Sequence, residues 1–327
     1  MPTYRQAIRV QQWIAVLGIV LLSIKFYAYF LTHSVAILTD ALESIVNVVA
    51  GFITLGSLMV AAKPRDSSHP YGHGKAEFIS AGIEGSLISV AGIWIMVEAV
   101  KKFIHPAPVF ELDTGLILIA VCGLINLAAG LLGLRQGTKS NSIAVTSSGK
   151  HLISDAISTG GLIAGLLLMK VTGWEWLDSV VAIIFGSVLI YTGIRIVRSS
   201  IAGIMDEADE VLLNRLVAYL QKNRKSNWVD LHNLRVIKYG NRMHLDCHLT
   251  LPWYLNLHEA HKEVEALDSL IKSEFGNALE MFVHTDGCQP ESCNLCSMNK
   301  CIVRQHAFIK SIQWTTDNLF QNEKHEL

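Results

Sequence analysis

Six apolar segments, at about 11 to 31, 35 to 61, 78 to 100, 112 to 134, 144 to 170 and 176 to 197, follow one another along the first two thirds of the chain. Each meets the requirement of about 20 residues for a hydrocarbon core of about 30 Å. A spanning segment has no water to satisfy its backbone, so a run of this kind is expected to form membrane helices. Composition agrees: 17% of the 327 residues are charged and mean hydropathy is +0.36, where a soluble domain carries about 25% charge. The formal net charge of -1 gives no reason to expect a nucleic-acid partner. Met1 to Arg9 is polar and leads into an apolar stretch too long for a signal-peptide core, with no small-residue cleavage pattern after it, so a retained first span is expected.

The links between spans sort by charge. Arg5, Arg9, Lys63, Arg65, Lys75, Arg135, Lys139, Arg195 and Arg198 lie on the side of the N-terminus, and Lys101, Lys102 and Lys170 on the other. Nine against three places both termini in the cytoplasm under the positive-inside rule. Lys25 and Lys150 fall inside the first and fifth spans, where a long cationic side chain is expected to snorkel toward a face. Small residues around Gly82 and Gly85 in the third span and Gly186 in the sixth mark close helix packing. Pro106-Ala107-Pro108 reads as a short external turn.

After Ser200 the pattern becomes that of a soluble domain. Asp206 to Lys222 and His258 to Phe275 read as amphipathic helices, the second opened by Asn256 and ended near Gly276. Trp228 to Tyr239, Arg242 to Leu251 and Leu279 to His284 read as strands, with Gly240-Asn241 as the turn between the first two. The expectation is an all-α six-helix transmembrane domain (1–200) followed by a small α+β (α-β-β-α-β) cytoplasmic domain (201–286). Residues 287–327 form a Cys-containing tail with a helix expected at about 304 to 320.

Polar residues inside the spans carry the functional signal, because one acid at the centre of a membrane helix costs roughly 2.5 to 3.5 kcal/mol. In the second span Asp40, Glu43 and Asn47 fall within about 60° of one another at 100° per residue, a single stripe. In the fifth, His151 and Asp155 share a face one turn apart, flanked by Ser147, Ser154 and Ser158. Glu43, Asn47, His151 and Asp155 are expected to close a four-ligand site of nitrogen and oxygen donors for a divalent cation such as zinc. The competing reading is interhelical hydrogen bonding of the kind that small polar residues make. Asp40 either adds a ligand or orients the others from behind them. In the link after the second span, Asp66, His69 and His73 are donors at spacings of three and four in a Gly- and Pro-bearing loop that can wrap a cation. The tail holds Cys288, Cys293, Cys296 and Cys301, spaced C-x4-C-x2-C-x4-C. In a reducing compartment four such thiols bind a metal sooner than they form disulfides, with zinc first and free thiols, an iron–sulfur cluster or copper(I) as alternatives. Cys122 and Cys247 read as buried small hydrophobes.

From residue 10 to residue 286 the chain resembles the cation diffusion facilitator family of proton-coupled divalent-metal transporters. The resemblance rests on Asp40-Ala41-x-Glu43-x-x-x-Asn47, on His151-x-x-x-Asp155, and on six spans followed by a small α+β domain. It implies a homodimeric antiporter in the lipid bilayer, a bacterial inner-membrane protein that exports metal in exchange for protons and is not an enzyme. It also implies a loop metal site at Asp66, His69 and His73, and a metal cluster near the dimer contact at His232, His248, His261, His284 and Asp286. The chain departs from the family pattern at Glu43 and Asn47, where Asp or His and Asp are usual. One His, two carboxylates and an amide make a harder site, which widens the expected substrates from zinc to iron(II), manganese, cobalt and cadmium. Two other classes differ from export. A membrane-anchored metal sensor without transport would leave Asn47 as the mark of a decayed site, whereas an intramembrane metallohydrolase would need an H-E-x-x-H motif that the sequence lacks. No G-x-x-x-x-G-K loop is present for coupling to ATP.

Overall fold

In a computed structural model the described backbone covers residues 2–105, 108–139, 143–239, 242–276 and 279–327. Side chains are described outside 1–11, 14–15, 54, 58, 106–107, 137–148, 240–242 and 277–278. Ser147, the Gly240-Asn241 turn and the Pro106-Ala107 link, expected above, lie outside these described residues. The chain forms two compact units, residues 1–59 with 79–201, and residues 60–78 with 202–327.

The first unit is helical: α1 (Pro2–Thr32), α2 (Val35–Ala61), α3 (Ala76–Ile104), α4 (Leu112–Lys139), α5 (Ile143–Thr172) and α6 (Trp176–Ile204). Among the described residues five of these are long and apolar enough to cross a membrane, and α1 adds the apolar stretch Val16–Thr32. The small residues of α3 and α6 let the two backbones touch. A Cβ at Gly85 would lie 2.8 Å from the carbonyl oxygen of Gly193, and one at Gly193 would lie 2.6 Å from that of Gly85. The start of α2 is fixed by an acid from another helix. Asp178, fully buried in the first turn of α6, accepts from the backbone N–H groups of Val35 (2.8 Å) and Ala36 (3.2 Å) and pairs with Lys102 Nζ of α3 at 2.9 Å. A carboxylate at a helix N-terminus satisfies free N–H donors and the helix dipole together. Three helices are thereby tied at one end of the segment that carries Asp40, Glu43 and Asn47.

The second unit contains α7 (Glu210–Lys222), β1 (Asp230–Tyr239), β2 (Arg242–Leu251), α8 (Leu257–Phe275), β3 (Leu279–Gly287), a 3₁₀ turn (Pro290–Asn294) and a one-turn helix α9 (Thr316–Leu319). The expected order of elements is present. α7 starts four residues later than expected because Asp209 caps it, its side chain accepting from Leu212 N–H. α8 opens with a capping box between Asn256 and Glu259 and ends at Gly276, whose φ of 76° suits a residue without a Cβ. β2 pairs antiparallel with β1 and parallel with β3. The core gathers Leu216 and Leu220 of α7, Leu231, Leu245 and Leu249 of the sheet, and Leu267 and Ile271 of α8. Cys247 is buried within it, and burial pushes its thiol up to about 12.

The tail does not form the helix expected at about 304 to 320. Backbone donors there find tertiary acceptors instead of the carbonyl four residues back: Ile309 N–H donates to Asn294 O at 2.9 Å, and Trp314 N–H to Gln221 Oε1 at 2.9 Å. Trp314 and Leu319 are buried in the core of the sheet domain.

Candidate metal sites

Within the helical unit, α2 and α5 meet through polar side chains one turn apart. Asn47 Nδ2 donates to Asp155 Oδ2 at 3.0 Å, and His151 Nε2 lies 3.8 Å from the same oxygen. Two donors on a tetrahedral zinc, each about 2 Å from the ion, stand about 3.3 Å apart, so these groups are near ligating separation. Among the described residues, Glu43, His151 and Asp155 do not yet close to within 4.8 Å of one another. Asp155 is largely buried, whereas His151 is 52% exposed in its side chain. A carboxylate accepts and does not donate, so Asn47 faces it with the amide nitrogen and leaves its oxygen for an ion.

Asp40 sits one turn above, in a buried charge cluster. Its Oδ1 accepts from Lys25 Nζ at 3.0 Å and from Thr159 Oγ1 at 2.9 Å, while Lys25 Nζ also donates to Ser44 Oγ at 2.9 Å. Lys25 is 2% exposed. It does not snorkel, because an acid on α2 waits beside it and a paired cation in the interior costs less than Asp40 left alone. Asp40 therefore braces α1, α2 and α5 behind the ligands.

The loop after α2 holds a second group. Asp66 Oδ1 accepts from the Ser68 hydroxyl (2.9 Å), from Ser68 N–H (3.0 Å) and from His69 N–H (2.7 Å). Chiefly through the Ser68 hydroxyl, these bonds hold its carboxyl down at about 2. His69 Nδ1 lies 3.3 Å from one carboxylate oxygen and His73 Nε2 3.4 Å from the other, and the two rings stand 4.2 Å apart. Gly72, with φ of 93°, takes the chain back between them. One ligand atom from each of the three residues falls within 4.8 Å. The loop is seated on the sheet domain by a forked Arg65–Glu280 pair and by Tyr71 stacked on Tyr239 at 5.4 Å.

A third group is built by strand register. His232 pairs with His248 across β1 and β2, and His248 with His284 across β2 and β3, so three imidazoles share one rung. Two residues along, Asp230, Thr250 and Asp286 form the next rung of the same face. Asp286 Oδ2 lies 3.6 Å from His232 Nε2 and 3.4 Å from His248 Nδ1, and it is buried with no hydrogen-bond partner. An orphaned carboxylate oxygen facing two imidazole nitrogens fits a cation. Burial, and then the charge of His232, lower the pKa of His248, which favours the neutral imidazole that ligates. His284 completes the rung, its ring 4.7 Å from that of His248 and its Nε2 3.7 Å from Asp286 Oδ1.

Behind His232 stands a carboxylate that residue spacing gave no reason to single out. Asp230 Oδ2 lies 3.2 Å from His232 Nδ1, and Asp230 Oδ1 lies 2.6 Å from His325 Nδ1. Burial pushes Asp230 up, yet the two imidazoles hold it down at about 2. Lys324 Nζ lies 3.6 Å from Asp286 Oδ1. His261, expected with this group, is not brought to it. It stands exposed on α8 with its Nε2 3.6 Å from Glu265, its neighbour one turn on.

The four tail cysteines form a looser gathering at the end of β3. The Tyr254 hydroxyl lies within electrostatic reach of Cys301, Cys296 and Cys288. Burial, and then the other three cysteines, push the Cys288 thiol up.

With this geometry in place, comparison with known proteins is decisive. Residues 12–205 match the family model for the cation efflux transmembrane domain, and residues 208–288 match that for the cation efflux protein cytoplasmic domain. The chain belongs to the cation diffusion facilitator family. Cation diffusion facilitators are transporters, not enzymes, so this chain is a multi-pass membrane protein of cation efflux. Among its relatives, the uncharacterized transporter sll1263 of Synechocystis is 32% identical over 250 residues, 76% of this chain and 81% of that protein. The cation-efflux pump FieF of Shewanella oneidensis is 27% identical over 275 residues, 84% of this chain and 92% of that protein. The manganese efflux system protein MneP of Bacillus subtilis is 24% identical over 276 residues, 82% and 92% of the two chains. The matched family region of this facilitator stops at residue 288, so Cys293, Cys296, Cys301, Lys324 and His325 lie beyond it.

Proposed function

We propose that this chain is a homodimeric antiporter that exports a divalent transition-metal cation from the cytoplasm in exchange for protons, with zinc as first substrate. Glu43, Asn47, His151 and Asp155 take the ion, and the observation that carries the reading is Asp155 Oδ2, shared by Asn47 of α2 and His151 of α5 at 3.0 and 3.8 Å. Two spanning helices that meet at one carboxylate can open to either side by rocking, with the ligands carried between them. His151, with its half-exposed ring, takes the proton that displaces the metal, because only neutral imidazole ligates and imidazole is the side-chain type that changes charge under physiological conditions. The region of residues 1–200 transports, that of 201–286 dimerises and binds cytosolic metal, and 287–327 is an appended tail. Both termini face the cytoplasm of a bacterial inner membrane, on the charge asymmetry of the links. Asp66, His69 and His73 bind metal in the loop, and His232, His248 and Asp286 on the sheet, which is supported by the closeness of their donor atoms, with His284 joining from 3.7 Å beside Asp286.

Reconstituted in vesicles, the native chain moves zinc along an imposed pH gradient, and Asp155→Ala lowers the flux at least about 100-fold, since even residues that merely support a ligand cost 10- to 100-fold in affinity. Flux indifferent to the gradient would remove proton coupling, and metal binding without flux would make the chain a sensor. Iron(II), manganese, cobalt and cadmium compete because the site is hard, and the name of MneP makes manganese a required member of the panel. Asn47→Asp adds a charge beside Asp155 and is expected to shift the preference toward zinc. An unchanged order of ions in the same flux assay would release position 47 from selectivity.

A further inference from the structure

Two arginines beside the tail cysteines have unusual partners. Arg304 donates to four backbone carbonyls, those of Cys293 (2.9 Å), Cys296 (2.9 Å), Met298 (2.7 Å) and His306 (3.4 Å), and wraps the cysteine loop around its guanidinium. Arg224 donates to the carbonyls of Trp228 (3.1 Å), Val229 (2.5 Å) and Ile312 (2.7 Å), lies over the Trp314 ring and is within electrostatic reach of Cys296. Among the described residues neither guanidinium forms an ion pair with a carboxylate. Asp230 acts on Arg224 at longer range, but its oxygens are engaged by His232 and His325. Arginine is ordinarily the partner of a bidentate anion, so two partly buried cations with neutral partners call for negative charge nearby. The candidates are the thiols of Cys288, Cys293, Cys296 and Cys301, all of them free, with Cys288 within electrostatic reach of the other three; among the described residues no three of these sulfurs stand within 4.8 Å, so a bound ion would draw them together.

We propose that Cys288, Cys293, Cys296 and Cys301 hold a zinc ion as a tetrathiolate centre, a structural site that is separate from transport and fastens the tail to the sheet domain. Zinc with four thiolates carries a net charge of -2, which Arg224 and Arg304 offset. Binding forms four Zn–S bonds of about 2.3 Å, releases the thiol protons to solvent and oxidises nothing. The segment needs such a staple: between the 3₁₀ turn and α9 it has no regular structure, and Ile302, Phe308 and Ile309 are exposed. Leu295, Cys296 and Trp314 are buried, but no residue between 297 and 313 is, so a crosslink there adds to the ordering that Arg304 supplies, and a cytosolic crosslink is a metal sooner than a disulfide. Fastened in this way, the tail brings Lys324 to Asp286 and His325 to Asp230, both at the rungs of the sheet site.

The test uses the full chain in detergent under reductant, with zinc counted per chain after dialysis against a weak chelator and cobalt(II) exchanged in as a spectroscopic probe. Native chain and His232→Ala/His248→Ala are both expected to retain tightly held zinc and to show thiolate-to-cobalt charge transfer with the strong visible bands of a tetrahedral sulfur site. Cys293→Ser/Cys296→Ser is expected to lose both while zinc flux in vesicles persists. Equal tightly held zinc in the native and Cys variants, or a native cobalt spectrum without thiolate bands, would overturn the proposal. The visible absorption of an iron–sulfur cluster in the native chain as purified would overturn it as well. If the Cys variant does not fold, the cobalt spectrum of the native chain decides the question alone.

Discussion

The candidate membrane site and the candidate sheet site draw on the same donor types, His and carboxylate, but are assembled in opposite ways. In the membrane the ligands come from two helices at i, i+3 and i+4 spacings, so each half is a local pattern and tertiary structure has only to bring two faces together. On the sheet the ligands come from three strands, and the site exists only once the register puts His232, His248 and His284 in one rung. The supporting groups differ as well. Behind the membrane ligands stands a buried ion pair, Lys25–Asp40, and behind the sheet ligands stands a carboxylate, Asp230, held between two imidazoles. The helix site is thus backed by a buried ion pair, the strand site by a carboxylate set between two imidazoles.

The largest effect expected from breaking this contrast is on the membrane side. Lys25→Met leaves Asp40 buried and uncompensated, which in buried pairs costs about 3 to 5 kcal/mol. Thermal unfolding in detergent should show that loss, and Lys25→Met/Asp40→Asn should recover most of it, since the amide can still bond Thr159. A double variant no more stable than the single one would show that Lys25 acts through packing and not through charge. On the sheet side the matching change is Asp230→Asn, which removes the carboxylate that holds His232 in orientation while keeping its shape. The expected loss is about 10- to 100-fold in metal affinity at the sheet site, measured by titration calorimetry of the detergent-solubilised chain in an Asp66→Ala/His69→Ala background that silences the loop. His261→Ala in the same titration should leave the affinity unchanged, since within the chain its Nε2 stands beside Glu265. If Asp230→Asn binds as the parent does, the sheet ligands are positioned by register alone.

The same contrast explains what could be read from the residues. Spans, their order, the α-β-β-α-β domain and the Asn47–Asp155–His151 meeting are legible because apolar runs and helical spacing are local signals. Lys25 was misread because nothing in α1 announces that Asp40 will stand beside it, fifteen residues on and in another helix. His261 was named only through the family resemblance, for a cluster near the dimer contact, and within one chain it stands exposed beside Glu265 rather than with the rung. Asp230 and His325 are separated by 95 positions and join only when the tail has crossed back over β1. The failure of the expected helix near 304 has the same source, since Asn294 and Gln221 capture its backbone donors from a distance.

The smallest effect expected concerns pH. His325 has its pKa raised, first by the hydrogen bond to Asp230, and Asp230 is held down at about 2. A raised imidazole stabilises the folded tail fully below the unfolded value of about 6.5 and loses that contribution as pH climbs through the folded value. A depressed carboxylate works in the other direction, present above the unfolded value of about 3.9 and lost as pH falls toward 2. Both contributions are therefore complete between about pH 4 and 6.5 and fade above that window as His325 loses its proton. The stability difference between the native chain and His325→Gln, followed by thermal unfolding of metal-free protein, should hold its full size across that window and shrink above it toward pH 8. A difference that stays constant across the range would mean that His325 holds the tail through its contact with the Asn318 carbonyl and through packing, and not through its charge.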